Sequence, residues 1–134
     1  MSFSILFPTT RRGAHTARHT AERWLATHLP PEPDPLARSF TDTTSLLMAE
    51  LAANAALHGR VRGHRALLAL TLDESAKELL IEVTDARGDR PPIQHPPTER
   101  DSGHGLLLVE ALADDWGVRP HHPGGKTMWV LCRR

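Results

Sequence analysis

Apolar and polar positions alternate over residues 3–7 closely enough to predict a short strand, and Pro8, Thr9 and Thr10 then turn the chain into a helix over about residues 11–28. Trp24, Leu25 and His28 supply that helix's packing face. Four prolines between Pro30 and Pro35 predict an extended connection, because successive prolines lack amide donors and push each preceding residue out of the helical region. Thr41, Asp42 and Thr44 are capping candidates for a second helix reaching about Leu57, where His58 and Gly59 form a stop signal. Two runs, residues 65–72 and 79–84, flank a polar segment at 73–78 and predict adjacent strands joined by a turn. Residues 85–102 have almost no periodicity, with four more prolines between Pro91 and Pro97, and predict a long loop of the functional kind. A third helix follows over residues 104–114, then strands at 116–119 and 127–132 around a turn at Pro123, Gly124 and Gly125. This order fits helices grouped on one face of a mixed, mostly antiparallel sheet. It is an α+β two-layer sandwich, in one domain over residues 1–134.

Composition narrows the class. The chain has 134 residues, with sixteen Lys and Arg against sixteen Asp and Glu, so its formal net charge is zero. A domain of this length buries about two thirds of its extended-chain surface and owns a real core. Neutrality removes the broad attraction on which non-specific nucleic-acid binders and membrane-surface proteins rely, so an anionic partner must be met locally. Cys132 is the single cysteine, which excludes an internal disulfide framework and a multi-cysteine zinc site and suits a reducing cytoplasm. Residues 2–7 are hydrophobic but are followed by Pro8, Arg11 and Arg12, the reverse of a signal peptide's charge order. No run approaches the ~18 apolar residues of a membrane span. A soluble cytoplasmic protein, with no membrane contact and no direct nucleic-acid contact, is the expectation.

Three constellations carry candidate chemistry. On the second helix, at about 100° per residue with Glu50 as zero, Leu46 falls near −40°, Leu57 near −20°, Asn54 near +40°, Leu47 near +60°, His58 near +80° and Leu51 near +100°. A carboxylate, an amide and an imidazole thus fall inside the apolar stripe. Burying such groups without partners costs about 1 to 3 kcal/mol for each neutral one and more for an ionised carboxylate. A hydrated divalent metal with a phosphorylated ligand would compensate, Asn54 offering a carbonyl oxygen and Glu50, one turn earlier, holding or deprotonating a water or hydroxyl. Polar residues that reach sheet backbone or face a wet groove would serve equally. Next, Gly103-His104-Gly105-Leu106 stands where the long loop meets the third helix. Glycine backbone and helix-terminal amides make an anion site there, or simply an ordinary helix start. Finally, Asp85 leaves a strand at a pocket rim, where it accepts a hydrogen bond from an exocyclic amine or merely starts a turn.

Two other readings fail. Gly124-Gly125-Lys126-Thr127 echoes the end of a Walker A loop, but Pro120 stands where its first glycine is needed and no room remains for the following helix. Nine histidines invite a zinc site, yet there is no H-E-x-x-H pattern, and neither His15 with His19 nor His121 with His122 has a third ligand by spacing. A turn into a final strand and solvent-exposed histidines are the readings kept.

Taken in order, the surviving motifs resemble the Bergerat-fold ATP-binding domain of the GHKL superfamily, and most closely its small anti-sigma factor serine/threonine kinases. Residues 50–59 match the N box E-x-x-x-N-A-x-x-H-G at every fixed position. Asp85 falls where the family's adenine-contacting aspartate lies, before the lid. Gly103-His104-Gly105-Leu106 resembles the second glycine box and Gly125-Lys126-Thr127 the last. The resemblance covers essentially the whole chain. It implies ATP between the Glu50 helix and the lid, Mg²⁺ on Asn54, and the adenine amine on Asp85, with Gly88 in the first glycine box. Gly103, His104, Gly105 and Leu106 would cradle phosphates, and Thr127 would support the adenine end. Glu50 corresponds to the general base toward a partner's serine. Implied partners are a sigma factor and an antagonist protein, and a homodimer is admitted. Two departures stand out. Arg87 and Asp89 occupy the glycine positions of the first box, usually D-x-G-x-G, and Asp101 stands where kinases often present an arginine, with Arg100 one residue off. The alternative is a non-catalytic interaction module of the same fold. The detached ATPase domain of a two-component histidine kinase is disfavoured, because no dimerisation segment with a histidine precedes the domain.

Overall fold

In the computed structural model, which describes residues 1–30, 35–88 and 104–134, the alternating N-terminal run forms β1 (Ser2–Pro8) and leads straight into α1 (Arg11–His28). Thr10 caps that helix, its hydroxyl accepting from the Gly13 amide at 2.9 Å. Gly13 is required there, since a Cβ would lie 2.1 Å from the Pro8 carbonyl oxygen. The buried face of α1 is led by small residues, Ala14, Ala17 and Ala21, and closed by Leu25. Trp24 and His28 are half-buried at its side, with Trp24 stacked on Phe3 at 5.7 Å. The packing face therefore lies on the alanine side of the expected one, because alanines let α1 approach α2 closely.

Helix α2 (Pro35–His58) starts about one and a half turns before the predicted cap. Proline at a first helical position loses no hydrogen bond and arrives with φ already helical, so the last proline of the cluster opens the helix. Thr44, fully buried, turns its hydroxyl back to the Thr41 carbonyl at 3.1 Å instead of capping. Gly59 ends the helix as predicted, its amide donating to the Ala55 carbonyl at 3.0 Å.

The remaining elements are β2 (Arg65–Leu72), β3 (Glu78–Asp85), α3 (His104–Leu112), β4 (Asp115–His121) and β5 (Gly125–Arg133). They complete a five-stranded sheet in the order β1-β2-β3-β5-β4. All four described pairings are antiparallel. Alternation along β2 and β3 buries Leu68, Leu70, Leu72, Leu79, Ile81 and Val83 on one face, where Leu47, Met48 and Leu51 of α2 join the same core. The other face is partly exposed and carries Thr71, Leu80, Glu82 and Thr84. Helix α3 stops short of the predicted Asp114, whose carboxylate accepts from the Arg133 amide at 2.6 Å and so belongs to the sheet. On the buried face of β5, the Cys132 thiol is pushed up to about 12, first by burial and then by the Asp114 charge.

Two carboxylates fix the ends of β3. Asp73 holds the β2–β3 turn, accepting from the Lys77 amide at 2.7 Å, the Glu78 amide at 2.9 Å and the Ser75 hydroxyl at 2.6 Å. At the opposite end Asp85 forms an ion pair with Lys126 of β5, Oδ2 to Nζ at 2.9 Å, and each side chain is only 5% exposed. The pairing register sets Asp85 directly across from Lys126.

The Ser75 hydroxyl first, then the Glu78 and Lys77 amides, hold the Asp73 carboxyl below its ordinary 3.8. A lowered folded value means stabilisation present above the unfolded value and lost as pH falls through the folded one. Asp73→Ala is therefore expected to lower the urea midpoint at neutral pH and to reduce its decline below about pH 4, measured as midpoint against pH. Asp85→Ala leaves the Lys126 ammonium buried without its counter-charge. It is expected to cost about 3 to 5 kcal/mol by denaturant unfolding, much of it regained when Lys126→Met is added.

Candidate functional site

Helix α2 presents Glu50, Asn54 and His58 along one edge, and all three are half-buried. The stripe expected around them is displaced: Leu46 and Leu57 are 40% and 42% exposed, whereas Leu47, Leu51, Ala52 and Ala55 are buried. The polar row marks the border between core and solvent rather than the core itself, so the desolvation argued from periodicity is only partial. That is the geometry of a groove wall. At about 1.5 Å rise per residue, Asn54 stands roughly 7.5 Å and Glu50 roughly 13.5 Å along the axis from Gly59.

Gly59 seats α2 on the end of β3. A Cβ at Gly59 would lie 2.3 Å from Asp85 Oδ2, so only glycine lets the helix terminus rest on that carboxylate. Asp85 is 6% exposed and faces the helix layer. Its Oδ1 accepts from the Arg87 amide at 2.8 Å, so it does start the turn, and also from Lys126 Nζ at 3.0 Å. The Lys126 ammonium donates a further bond to the Arg87 carbonyl at 2.9 Å.

Gly88 donates its amide to the Gly124 carbonyl at 2.8 Å. A Cβ there would meet the Gly124 and Gly125 carbonyl oxygens at 2.5 and 2.6 Å, and one at Gly125 would meet the Asp85 carbonyl oxygen at 2.3 Å. The segment after β3 and the β4–β5 turn thus pack backbone on backbone, which accounts for a glycine at 88 even where its neighbours depart from the D-x-G-x-G pattern.

Thr127 lies on the sheet face opposite Asp85. Its hydroxyl lies 2.7 Å from that of Thr84, its cross-strand partner. Strand alternation sets both on the face away from the helices. Lys126, one residue earlier, is the side chain that meets Asp85. Helix α3 begins at His104 as predicted, with Gly105 and Leu106 in its first turn, and it packs on α2 through an element that includes fully buried Val109. Gly103 lies outside the described residues, as do Asp89, Arg100 and Asp101.

Sequence reasoning missed two features. The sequence offers Lys126 only as part of the last glycine box, with no partner for its charge. Arg60, Arg62 and Arg87 gather with Leu57 and His58 around a cavity of about 690 Å³ beside the Asp85 end of the groove. The signal was present in part, since Arg60 and Arg62 follow Gly59 and Arg87 follows Asp85 by two positions. What joins them is the contact between Gly59 and Asp85, which no local pattern contains.

The arrangement runs from an acceptor carboxylate through an amide oxygen to a second carboxylate, with a glycine-containing helix start on the neighbouring helix. Carbonyl and carboxylate oxygens are the donors that suit Mg²⁺, so Asn54 and Glu50 fit the ion that the resemblance implies. Guanidinium groups suit phosphate, and those of Arg60, Arg62 and Arg87 line the cavity with Leu57 and His58.

Comparison with known proteins agrees with this geometry. Residues 7–131 match the family model of the histidine kinase-like ATPase domain, HATPase_c_2. No curated protein matches the chain. With that match extending from the end of β1 into β5, and with the N box and Asp85 in adjoining positions, the chain belongs to the histidine kinase-like ATPase domain family and has its ATP-binding fold.

Proposed function

We propose that the chain is an ATP- and Mg²⁺-dependent anti-sigma regulatory factor, transferring a phosphoryl group to a serine or threonine of a protein antagonist and controlling a sigma factor by partner switching. The observation that carries it is the placement of Glu50 and Asn54, one turn apart, on the half-buried edge of α2, above Gly59 and Asp85. Asp85 accepts from the base amine and so sets the orientation of the ligand. Asn54 holds the metal through its carbonyl oxygen, and the amides at the start of α3 face the phosphates. Mg²⁺, when bound, neutralises charge on the phosphates. Glu50 receives the proton of the attacking hydroxyl, a role open to a carboxylate that is partly exposed and reachable from solvent. The cationic cavity formed by Arg60, Arg62 and Arg87 adds attraction for an anionic ligand that zero net charge does not supply.

The second reading, a non-catalytic interaction module, draws support from the first glycine box, where Arg87 replaces a glycine and its carbonyl is committed to Lys126. The two readings separate on Glu50.

Asn54→Ala is expected to weaken Mg²⁺-dependent ATP binding by about tenfold or more in calorimetry. Glu50→Gln is expected to leave ATP affinity within a few-fold while lowering transfer of labelled phosphate to the antagonist by roughly 10²-fold or more. Transfer unchanged by Glu50→Gln removes the general-base role, and ATP binding with no transfer by the wild-type protein favours the interaction module.

A further inference from the structure

The Asp85–Lys126 pair is buried and held at several atoms. Lys126 Nζ donates to Asp85 Oδ1 at 3.0 Å and to the Arg87 carbonyl at 2.9 Å, and it lies 2.9 Å from Asp85 Oδ2 in the ion pair. Its residue is 4% exposed. On the carboxylate, Oδ1 accepts from Lys126 and from the Arg87 amide, which fills its two lone pairs, while Oδ2 has the ion-pair contact with Lys126. Oδ2 is the oxygen on which Gly59 seats the C-terminal end of α2. A carboxylate oxygen offers an acceptor to a donor and nothing favourable to another acceptor.

We propose that Lys126 is a positioning residue that makes Asp85 a reader of the base's amino group, holding the carboxylate in one rotamer between β5 and the turn after β3. The inference rests on the reading of this groove as an ATP site. Lys126 touches neither base nor phosphate. Its effect passes through Asp85 and falls on the choice between purines, one with an amine at the reading edge and one with a carbonyl oxygen there. A side chain that merely tied β5 to β3 would influence stability and the affinity for both purines alike.

The test is equilibrium titration of the full chain with ATP and with inosine triphosphate, each with Mg²⁺, for the wild type, Lys126→Met and Lys126→Arg. Inosine triphosphate replaces the amine by a carbonyl oxygen and leaves the sugar and phosphates unchanged. The wild type is expected to prefer ATP by at least about tenfold. Lys126→Met is expected to reduce that preference by at least about fivefold, and Lys126→Arg, which keeps the charge and the donors, to hold it within about twofold. Should Lys126→Met fail to fold by circular dichroism, Lys126→Gln takes its place with the same expected loss of preference. Equal weakening of both nucleotides in the neutral variant overturns the proposal, as does a wild type that binds ATP without preferring it. A wild type that binds neither nucleotide overturns the ATP reading itself, and this inference with it.

Discussion

A carboxylate and an ammonium that leave water together must satisfy each other, and at the end of β3 that requirement locates four segments at once. Asp85 is fixed by Lys126 of β5, the turn after β3 by the bonds of the Arg87 amide and carbonyl, and the end of α2 by the contact of Gly59 with the carboxylate. A buried pair of this kind contributes little net stability over an apolar replacement but punishes any structure that separates its members. It therefore selects one register between β3 and β5. A one-residue slip would carry Lys126 to the opposite face and leave Asp85 alone in the helix layer.

Around that anchor the helix layer distributes chemistry by distance along one axis. Core-facing Leu47, Leu51 and Ala55 hold α2 on the sheet, so the adjacent row of Glu50, Asn54 and His58 comes to lie at the margin, reachable from outside yet partly desolvated. An electrically neutral domain can then present cations locally. Arg60 and Arg62 leave the end of α2 and meet Arg87 leaving β3, because Gly59 brings those two chain exits together. Charge is concentrated by topology without appearing in the total.

Much of this was readable from the chain, and the division follows the range of the interactions. The α1 and β2 limits agree with the structure because the signals are local: a Thr cap with prolines beside it for α1, and a polar turn closed by Asp73 after β2. The α+β arrangement and the N box were legible for the same reason, as spacings within one helix. The start of α2 was not, since proline breaks a helix only from inside it and Pro35 stands at its beginning. The alanine face of α1 escaped because large side chains draw attention while small ones permit approach. The exchange of Thr127 for Lys126 beside Asp85 was invisible for a deeper reason: which side chain faces which depends on pairing between strands far apart in sequence. The arginine cavity failed for the same reason.

The bond from Lys126 to Asp85 spans 41 positions in the chain. Closing a loop of that length costs ~3 kcal/mol of chain entropy, far more than the hairpin turns at Asp73 or Gly124 require. The β2–β3 and β4–β5 hairpins can each form from neighbours, but neither contains both members of the pair. A chain in which only those two hairpins have formed therefore lacks the buried pair, which belongs to the finished sheet and not to any of its local pieces.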